Sequence, residues 1–328
     1  MTIAPEKNKL ALFVCHDLIG LLILNRLVPA LCAQGWRPCV FNTTNKRNRQ
    51  FKVPPPAIPS FFGAGIVHDG LLPYLDAGRR CHLGAAPITE AYSYKELSAR
   101  FDLLYQEQDD INDPEFYNKI LDDHTYAGAI SIRFLQIFEK PLIDLFSKKG
   151  FFWNLHGGIL PDYKGLLIPY RVLQNNEEDY GWTLHHMDYG LDEGAAIRTC
   201  TIKIDRQTPI FDDYMEMVPM GSEMILGALS DYAAARQESK KKILNSKTRD
   251  VTYYPYPSEE EMNAYEREGI RFIGSPFDHV EFIVKNFASL SDQQDQTRLR
   301  DALIASIRRW SETIQDKESL FGRSVRAA

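Results

Sequence analysis

Two short apolar runs, separated by one segment of helical length, open this chain and restrict its fold. Residues 10–15 read LALFVC and residues 38–42 read PCVFN, both with the length and the branched or aromatic residues of strands. The segment 18–33 between them, LIGLLILNRLVPALCA, has the length of a helix and carries apolar residues on more than one face. A strand, a helix and a strand with short connections predict a βαβ unit in a parallel sheet.

The same alternation continues further along the chain. Strand-like runs follow at 127–132 (AGAISI), 151–156 (FFWNLH), 182–188 (WTLHHMD) and 199–204 (TCTIKI), and residues 134–149 between the first two have helical length. We therefore predict an α/β fold in which helices flank a mostly parallel sheet. No GxGxxG follows the first strand, which counts against a nicotinamide- or flavin-dependent enzyme.

Two regions depart from this pattern. Residues 53–65, VPPPAIPSFFGAG, are rich in Pro and Gly and predict a loop with polyproline character. Beyond Asp205 we predict a largely helical region, with a Met-containing core helix over 212–236 and a capping box that starts at Ser258. An apolar stripe in the last helix predicts core packing or contact with a second subunit; it comprises Leu299, Leu303, Ile307, Trp310 and Ile314.

Composition and charge narrow the class of protein. The 328 residues are 44% hydrophobic and 25% charged, which suits a globular protein with a sizeable core. A formal net charge of -6 disfavours a nucleic-acid partner. Five cysteines without a CxxC pair predict neither a disulfide framework nor a metal site. Because no stretch resembles a signal peptide or a membrane span, we expect a cytoplasmic protein without a membrane partner.

The stretch FFWNLHGGILPDYKG at 151–165 carries the polar residues that suggest chemistry. Side chains alternate along a strand, so Asn154 and His156 project to one face at its carboxyl end. Ligands of open α/β sheets bind beyond those carboxyl ends, and the pair Gly157–Gly158 removes bulk beside them. We therefore expect an amide donor and an imidazole to face one crevice.

An amide and an imidazole suit acyl transfer, in which an oxyanion needs fixed donors and the nucleophile must lose a proton. The imidazole then needs a carboxylate partner, for which Asp188 and Asp192 are candidates. Asp192 lies in the turn GLDEG after a probable strand. The alternative is that Asp192 caps this turn and that His156 is a core histidine whose hydrogen bonds are satisfied.

Three motifs in this part of the chain resemble one known family. NLH at 154–156, LPDYKG at 160–165 and GLDEG at 190–194 are similar to the N-x-H strand end, the LPxYxG loop and the LDxG loop of the folate-dependent formyltransferases. That family includes methionyl-tRNA formyltransferase, glycinamide ribonucleotide formyltransferase and the amino-sugar N-formyltransferases. The clear resemblance covers about residues 125–205 and implies a Rossmann-like fold.

The resemblance also implies a reaction and its residues. The formyl donor would be N10-formyltetrahydrofolate, the acceptor an amine, and the catalytic residues Asn154, His156 and Asp192. The residues that bind the folate would be Phe134, Leu135, Gln136, Ile137, Asp188, Gly190 and Leu191. We expect the acceptor to contact His16, at the end of the first strand, and four residues next to the motifs, namely Gly157, Gly158, Tyr163 and Lys164.

Two adjacent pairs suggest other chemistry but do not support it. Cys15 and His16 would form a nucleophile pair only if they shared a face, which neighbouring strand residues do not. His185 and His186 also lie on opposite faces and lack a third metal ligand nearby.

The predicted organisation is a formyltransferase catalytic domain over residues 1–206, with an insertion at about 43–98, and a C-terminal accessory region over 207–328. The accessory region would bind the acceptor or form a homodimer. We expect transfer to a small amine, either a nucleotide-linked amino sugar or an amino acid of the hydroxyornithine type. A formyltetrahydrofolate hydrolase and a non-catalytic folate-binding protein remain alternatives. A methionyl-tRNA enzyme is disfavoured because Lys and Arg nearly balance Asp and Glu over residues 236–328.

Overall fold

A computed structural model describes residues 8–43, 56–78, 91–237, 253–289 and 291–315. Within these ranges a seven-stranded sheet has the order β3-β2-β1-β4-β5-β7-β8, and β6 pairs with β9 in a separate two-stranded sheet. The strands are β1 (Lys9–Cys15), β2 (Arg37–Thr43), β3 (Leu104–Glu107), β4 (Tyr126–Ile132), β5 (Phe152–His156), β6 (Lys164–Gly165), β7 (Asp179–His186), β8 (Ala196–Lys203) and β9 (Tyr253–Tyr254). The first five strands are parallel, and β7 and β8 run antiparallel to their neighbours. This order confirms the Rossmann-like fold class.

Helices cover both faces of the sheet and make up most of the C-terminal region. They are α1 (Leu18–Ala33), α2 (Ala57–Ser60), α3 (Leu72–Gly78), α4 (Tyr94–Arg100), α5 (Pro114–Asp122), α6 (Lys140–Lys149), α7 (Ile168–Gln174), α8 (Ile210–Gln237), α9 (Glu259–Arg267), α10 (Pro276–Phe287) and α11 (Gln293–Gln315). Two π-helical stretches, Phe61–Gly65 and Val67–Leu71, connect α2 to α3. No helix in the described ranges is both long enough and apolar enough to cross a membrane.

The first βαβ unit follows directly from its residues. Along β1, Leu10 and Leu12 belong to one hydrophobic core and Phe13 to the core on the opposite face, as strand alternation requires. Asp17 caps α1 by accepting a hydrogen bond from the backbone N–H of Gly20 at 2.6 Å. The helix ends before Gly35, whose φ of +85° lies in the left-handed region that favours glycine. The predicted strands and helix of this unit are therefore confirmed.

The loop predicted over 53–65 is wrong for the part that the structure describes. Residues 53–55 lie outside the described ranges, and the chain is helical from Ala57 onward. The apolar residues of this segment pack into the core, which outweighs its Pro and Gly content; the buried ones include Phe61, Phe62, Ile66, Val67 and Leu71.

The helix predicted over 134–149 is shorter than expected. It begins only at Lys140, with Pro141 in its first turn. The side chain of Asn112 holds the preceding loop in a non-helical path, because it donates to the carbonyl of Ile137 and accepts from the N–H of Glu139, both at 2.9 Å. Residues 134–139 are thereby presented at the carboxyl edge of the sheet.

The strand order creates a crevice at that edge. From β1 the chain continues to β2 on one side, whereas β4 lies on the other side of β1. The connections that leave β1 and β4 therefore diverge, and ligands of open α/β sheets bind at such switch points. The Asn and His at the end of β5 lie one strand further along this edge.

Candidate active site

A cavity of about 740 Å³ opens at the carboxyl edge of the parallel strands. Its walls come from the ends of β1, β4 and β5, the loops 133–138 and 187–192, the helical segment 56–69 and the C-terminal tyrosines at 253 and 256. This volume lies in the range of about 300 to 1,000 Å³ that is usual for small-molecule sites.

Asn154 and His156 line this cavity together. They belong to the same face of β5, and the imidazole is only 7% exposed. The sequence prediction that the two side chains share one crevice agrees with this geometry.

The hydrogen bonds of His156 define its tautomer. Its Nε2 lies 2.7 Å from the backbone carbonyl oxygen of Tyr163, which can only accept, so Nε2 carries a proton and donates it. Its Nδ1 lies 3.5 Å from Oδ1 of Asp192. The nitrogen that can exchange a proton is therefore Nδ1, and the carboxylate lies where it compensates the positive charge of a protonated ring.

Asp192 is held in place by the backbone around it. Its Oδ2 accepts from the N–H of Gly165 at 2.9 Å. Its φ of 55° lies in the left-handed region, which Asp adopts more readily than most residues. The turn that the sequence GLDEG predicts thus brings the carboxylate to the imidazole.

His185, which the sequence reasoning did not assign to the site, fixes the amide of Asn154. The two residues are paired across β5 and β7, and Nδ2 of Asn154 lies 3.0 Å from Nε2 of His185. Nδ1 of His185 donates to the carbonyl of His186 at 2.8 Å, so its Nε2 accepts. Burial lowers the pKa of His185 to about 4, which keeps the ring neutral and able to accept at neutral pH. One N–H of Asn154 therefore donates to His185, and the second N–H can donate to a ligand.

The residues predicted to bind the folate all line the cavity. The part of the cavity that these residues line is mostly apolar, and it is also lined by Phe138, Ile143 and Met187. Gln136 has a structural role as well, because its Nε2 donates to Oγ1 of Thr43 at 2.8 Å and to the carbonyl of Asp109 at 2.7 Å. An apolar cleft with few polar groups suits a flat aromatic ligand such as the predicted donor.

The residues predicted to contact the acceptor divide into two groups. His16 and Gly157 line the cavity, whereas Gly158, Tyr163 and Lys164 are absent from its walls. The hydroxyl of Tyr163 donates to Glu177 at 2.7 Å. Lys164 is 3% exposed and its Nζ lies 3.3 Å from Glu193. The geometry thus gives these last two side chains structural contacts and does not support contact with the acceptor.

An ion pair that the sequence did not predict lies in the cavity wall next to His16. Nε of Arg133 lies 2.7 Å from Oδ2 of Asp17, and the guanidinium lies 4.8 Å from the centre of the Tyr214 ring. The same Asp17 caps α1, so this carboxylate joins β1, β4 and α1 at the switch point. Cys15, two residues before Asp17, is fully buried, and burial raises the pKa of its thiol far above the usual range, which excludes it as a nucleophile.

Solved structures of several formyltransferases superimpose on most of the chain at low sequence identity. Glycinamide ribonucleotide transformylase 1 from Symbiobacterium toebii matches 71% of this chain and 91% of its own with a TM-score of 0.49 and 13% identity. The sugar 3N-formyl transferase WlaRD, solved in the presence of dTDP and 5-N-formyl-THF, matches 79% of this chain and 72% of its own with a TM-score of 0.49 and 16% identity.

Sequence comparison finds relatives that match a smaller share of the chain. Methionyl-tRNA formyltransferase from Finegoldia magna is 27% identical over 122 residues, 37% of this chain and 38% of the relative. The enzyme of that name from Clostridioides difficile is 28% identical over 148 residues, 45% of each chain. Each match thus spans less than half of these relatives. The family model for formyl transferase matches residues 113–218, which contain β4, β5 and the loops 133–138 and 187–192. Residues 113–218, about a third of the chain, thus match the formyl transferase family.

Proposed function

We propose that this protein is an N-formyltransferase that moves a formyl group from N10-formyltetrahydrofolate to the amine of a small molecule. One observation carries the proposal: Asn154, His156 and Asp192, distant in sequence, line one cavity, and the Nδ1 of the imidazole lies 3.5 Å from the carboxylate. An amide donor, a titratable ring nitrogen and a compensating carboxylate are the groups that acyl transfer to an amine requires.

The amide of Asn154 stabilises the charge that develops on the carbonyl oxygen. When the amine nitrogen bonds to the formyl carbon, that oxygen gains negative charge. The second N–H of Asn154 donates to it, while the first stays bound to His185. Because His185 prevents rotation of the amide, the donor is oriented before the reaction begins.

His156 moves the proton. The attacking amine must lose one proton, and Nδ1 of His156, which lies next to Asp192, accepts it while Nε2 stays bound to the carbonyl of Tyr163. Once Nδ1 has taken that proton, the carboxylate compensates the positive charge. The bond between the formyl carbon and N10 of the folate then breaks, and the proton passes to N10. The formylated amine and tetrahydrofolate are the products.

The acceptor is a small amine in this proposal, either a nucleotide-linked amino sugar or an amino acid of the hydroxyornithine type. Two other acceptors would use the same cavity residues. Water as acceptor would make the protein a formyltetrahydrofolate hydrolase. The relatives named methionyl-tRNA formyltransferase favour charged tRNA as the second candidate.

The test is incubation of the purified protein with N10-formyltetrahydrofolate and, in parallel, each amine class, charged initiator tRNA or buffer alone. The expected result is release of tetrahydrofolate together with a formylated small amine, and loss of both in Asn154→Ala. Asp162→Asn is the control, because this exposed residue lies in the LPDYKG loop that follows β5 and its side chain is outside the cavity. Formate as the main product would establish hydrolysis instead, and no turnover with any acceptor would contradict the proposal.

A further inference from the structure

The helical segment 56–78 contributes a wall to the cavity that the proposed reaction does not explain. Ser60, Gly63 and His68 line the cavity, and the two π-helical stretches lie in this part of the segment. Stretches of π-helix inside helices occur frequently at functional sites, because they displace side chains from the regular helical positions. The segment approaches His16, because the ring centre of His68 lies 5.9 Å from that of His16.

The C-terminal helices α10 and α11 pack against this segment outside the cavity. The ring of Trp310 in α11 stacks on Phe61 at 4.2 Å with an angle of 12° between the planes. Nε2 of His279 in α10 donates to the carbonyl of Phe62 at 2.9 Å. A Cβ on Gly70 would lie 3.2 Å from Cβ of Ser306, so the segment and α11 are in close contact. The C-terminal helices therefore position a wall of the cavity without lining it themselves.

His16 is a buried polar group that lacks a hydrogen-bond partner among the described residues, although its Nε2 lies 3.9 Å from Oε1 of Glu107. It is 6% exposed, lines the cavity, and neither of its ring nitrogens has a hydrogen-bond partner among the described residues. Its ring centre lies 5.2 Å from that of Tyr94 and 5.9 Å from that of His68. Burial lowers the pKa of His16 to about 4, so the ring is neutral near pH 7 and offers one donor and one acceptor. A buried polar group without a partner is costly unless a ligand satisfies it.

The other charged residues that line the cavity near His16 do not favour binding of a phosphate group. Nδ1 of His68 lies 2.8 Å from Oδ1 of Asp69, and both residues line the cavity. Among the described lining residues, Arg133 is the one Lys or Arg, and Asp17 already pairs with it. A phosphate monoester placed here would meet two carboxylates, whereas hydroxyl groups and a protonated amine would find acceptors and donors.

We propose that His16, His68 and Asp69 form the acceptor subsite and that this subsite binds a hydroxylated primary amine carrying no phosphate. The helices α10 and α11 contribute to the subsite indirectly, because they hold the segment 56–78 in place. This inference rests on the proposed function. Within the proposed reaction, these residues determine which amine is used and take no part in the proton transfer.

The first experiment separates acceptor binding from donor binding. Binding of 5-formyltetrahydrofolate is measured by calorimetry, and the KM of the acceptor is measured by turnover. In His16→Phe, which keeps an aromatic ring against Tyr94, the acceptor KM should rise about 10-fold with donor affinity unchanged, since one or two hydrogen bonds are lost. An unchanged acceptor KM, or an equal loss of donor affinity, would overturn the subsite.

The second experiment tests the indirect role of α11. Trp310→Ala removes the stacking on Phe61 and should raise the acceptor KM several-fold while donor affinity stays constant, whereas Trp310→Phe should retain most of the wild-type KM. Arg308→Ala, an exposed position on the same helix, is the control. A Trp310→Ala protein with wild-type acceptor KM would refute the role of α11.

The third experiment tests the class of acceptor. Hydroxyornithine, glucosamine, the phosphate monoester of glucosamine and a nucleotide-linked amino sugar serve as probes. We expect an unphosphorylated probe to have the lowest KM; preference for a phosphorylated probe, or turnover of none of the unphosphorylated probes, would overturn the assignment. Wild-type protein that fails to bind 5-formyltetrahydrofolate would instead contradict the proposed function itself.

Discussion

Asp192→Asn tests the electrostatic role of the carboxylate with little disturbance of the fold. The amide oxygen of Asn can still accept from the N–H of Gly165, a bond of 2.9 Å in the wild type. Asn also tolerates the left-handed φ of 55° at this position. The substitution therefore removes the charge beside His156 while the turn keeps its shape.

The magnitude follows from the distance between the two groups. Coulomb's law gives about 5 kcal/mol for unit charges at the observed 3.5 Å and an effective dielectric constant of about 20. Water reaches 15% of the Asp192 side chain, so we take about 3 kcal/mol as the part that is lost when the ring becomes charged. We therefore expect kcat to fall roughly 100-fold.

The assay is steady-state formyl transfer, combined with thermal unfolding and with binding of 5-formyltetrahydrofolate. Asp162→Asn, which removes the same charge from an exposed position, should retain wild-type kcat. The reasoning is refuted if Asp192→Asn retains kcat within about threefold, or if its melting temperature falls so far that the loss reflects unfolding.

Three further predictions concern catalysis, backbone and pH. Asn154→Ala should lower kcat about 100- to 1,000-fold in the transfer assay, with donor affinity unchanged, because an oxyanion donor is lost. Gly165→Ala should destabilise the protein by about 2–4 kcal/mol in denaturant titrations, since its φ is +114° and a Cβ would lie 2.0 Å from the carbonyl oxygen of Tyr254. Gly269→Ala, at φ +82° in open space, should cost only about 1 kcal/mol, and equal losses in both variants would contradict this account. Burial lowers the pKa of His279 from 6.5 to about 4, so between these pH values the ring is protonated in the unfolded chain and neutral in the folded protein. The free energy of unfolding should therefore fall by about 3 kcal/mol from pH 6.5 to 4. His279→Gln should flatten that pH dependence, and an unchanged slope would show that this residue does not cause it.

The elements that could be predicted from sequence are those stabilised by residues that lie close together in the chain. The strand at 10–15 and the helix at 18–33 were predictable because apolar runs and the Asp17 cap are local signals. The capping box at Ser258 is likewise confirmed, with its hydroxyl accepting from the N–H of Glu261. In the last helix, Leu299 and Leu303 are fully buried, as the apolar spacing indicates.

What the sequence did not predict depends on distant contacts. His185 reaches Asn154 only through the register of the antiparallel pair β5–β7, and a run such as WTLHH does not specify that register. The backbone carbonyl of Tyr163 orients His156, although the motif suggested a role for the side chain. The helical state of residues 57–78 depends on packing against α10 and α11, which overrides local Pro and Gly propensities.

The most direct test of the central claim is a crystal structure of the protein with 5-formyltetrahydrofolate bound. We predict that the formyl oxygen lies about 3 Å from Nδ2 of Asn154 and that the formyl carbon faces the side of the cavity lined by His156. A folate bound with its formyl group well outside hydrogen-bond reach of Asn154, or bound away from this cavity, would contradict the account.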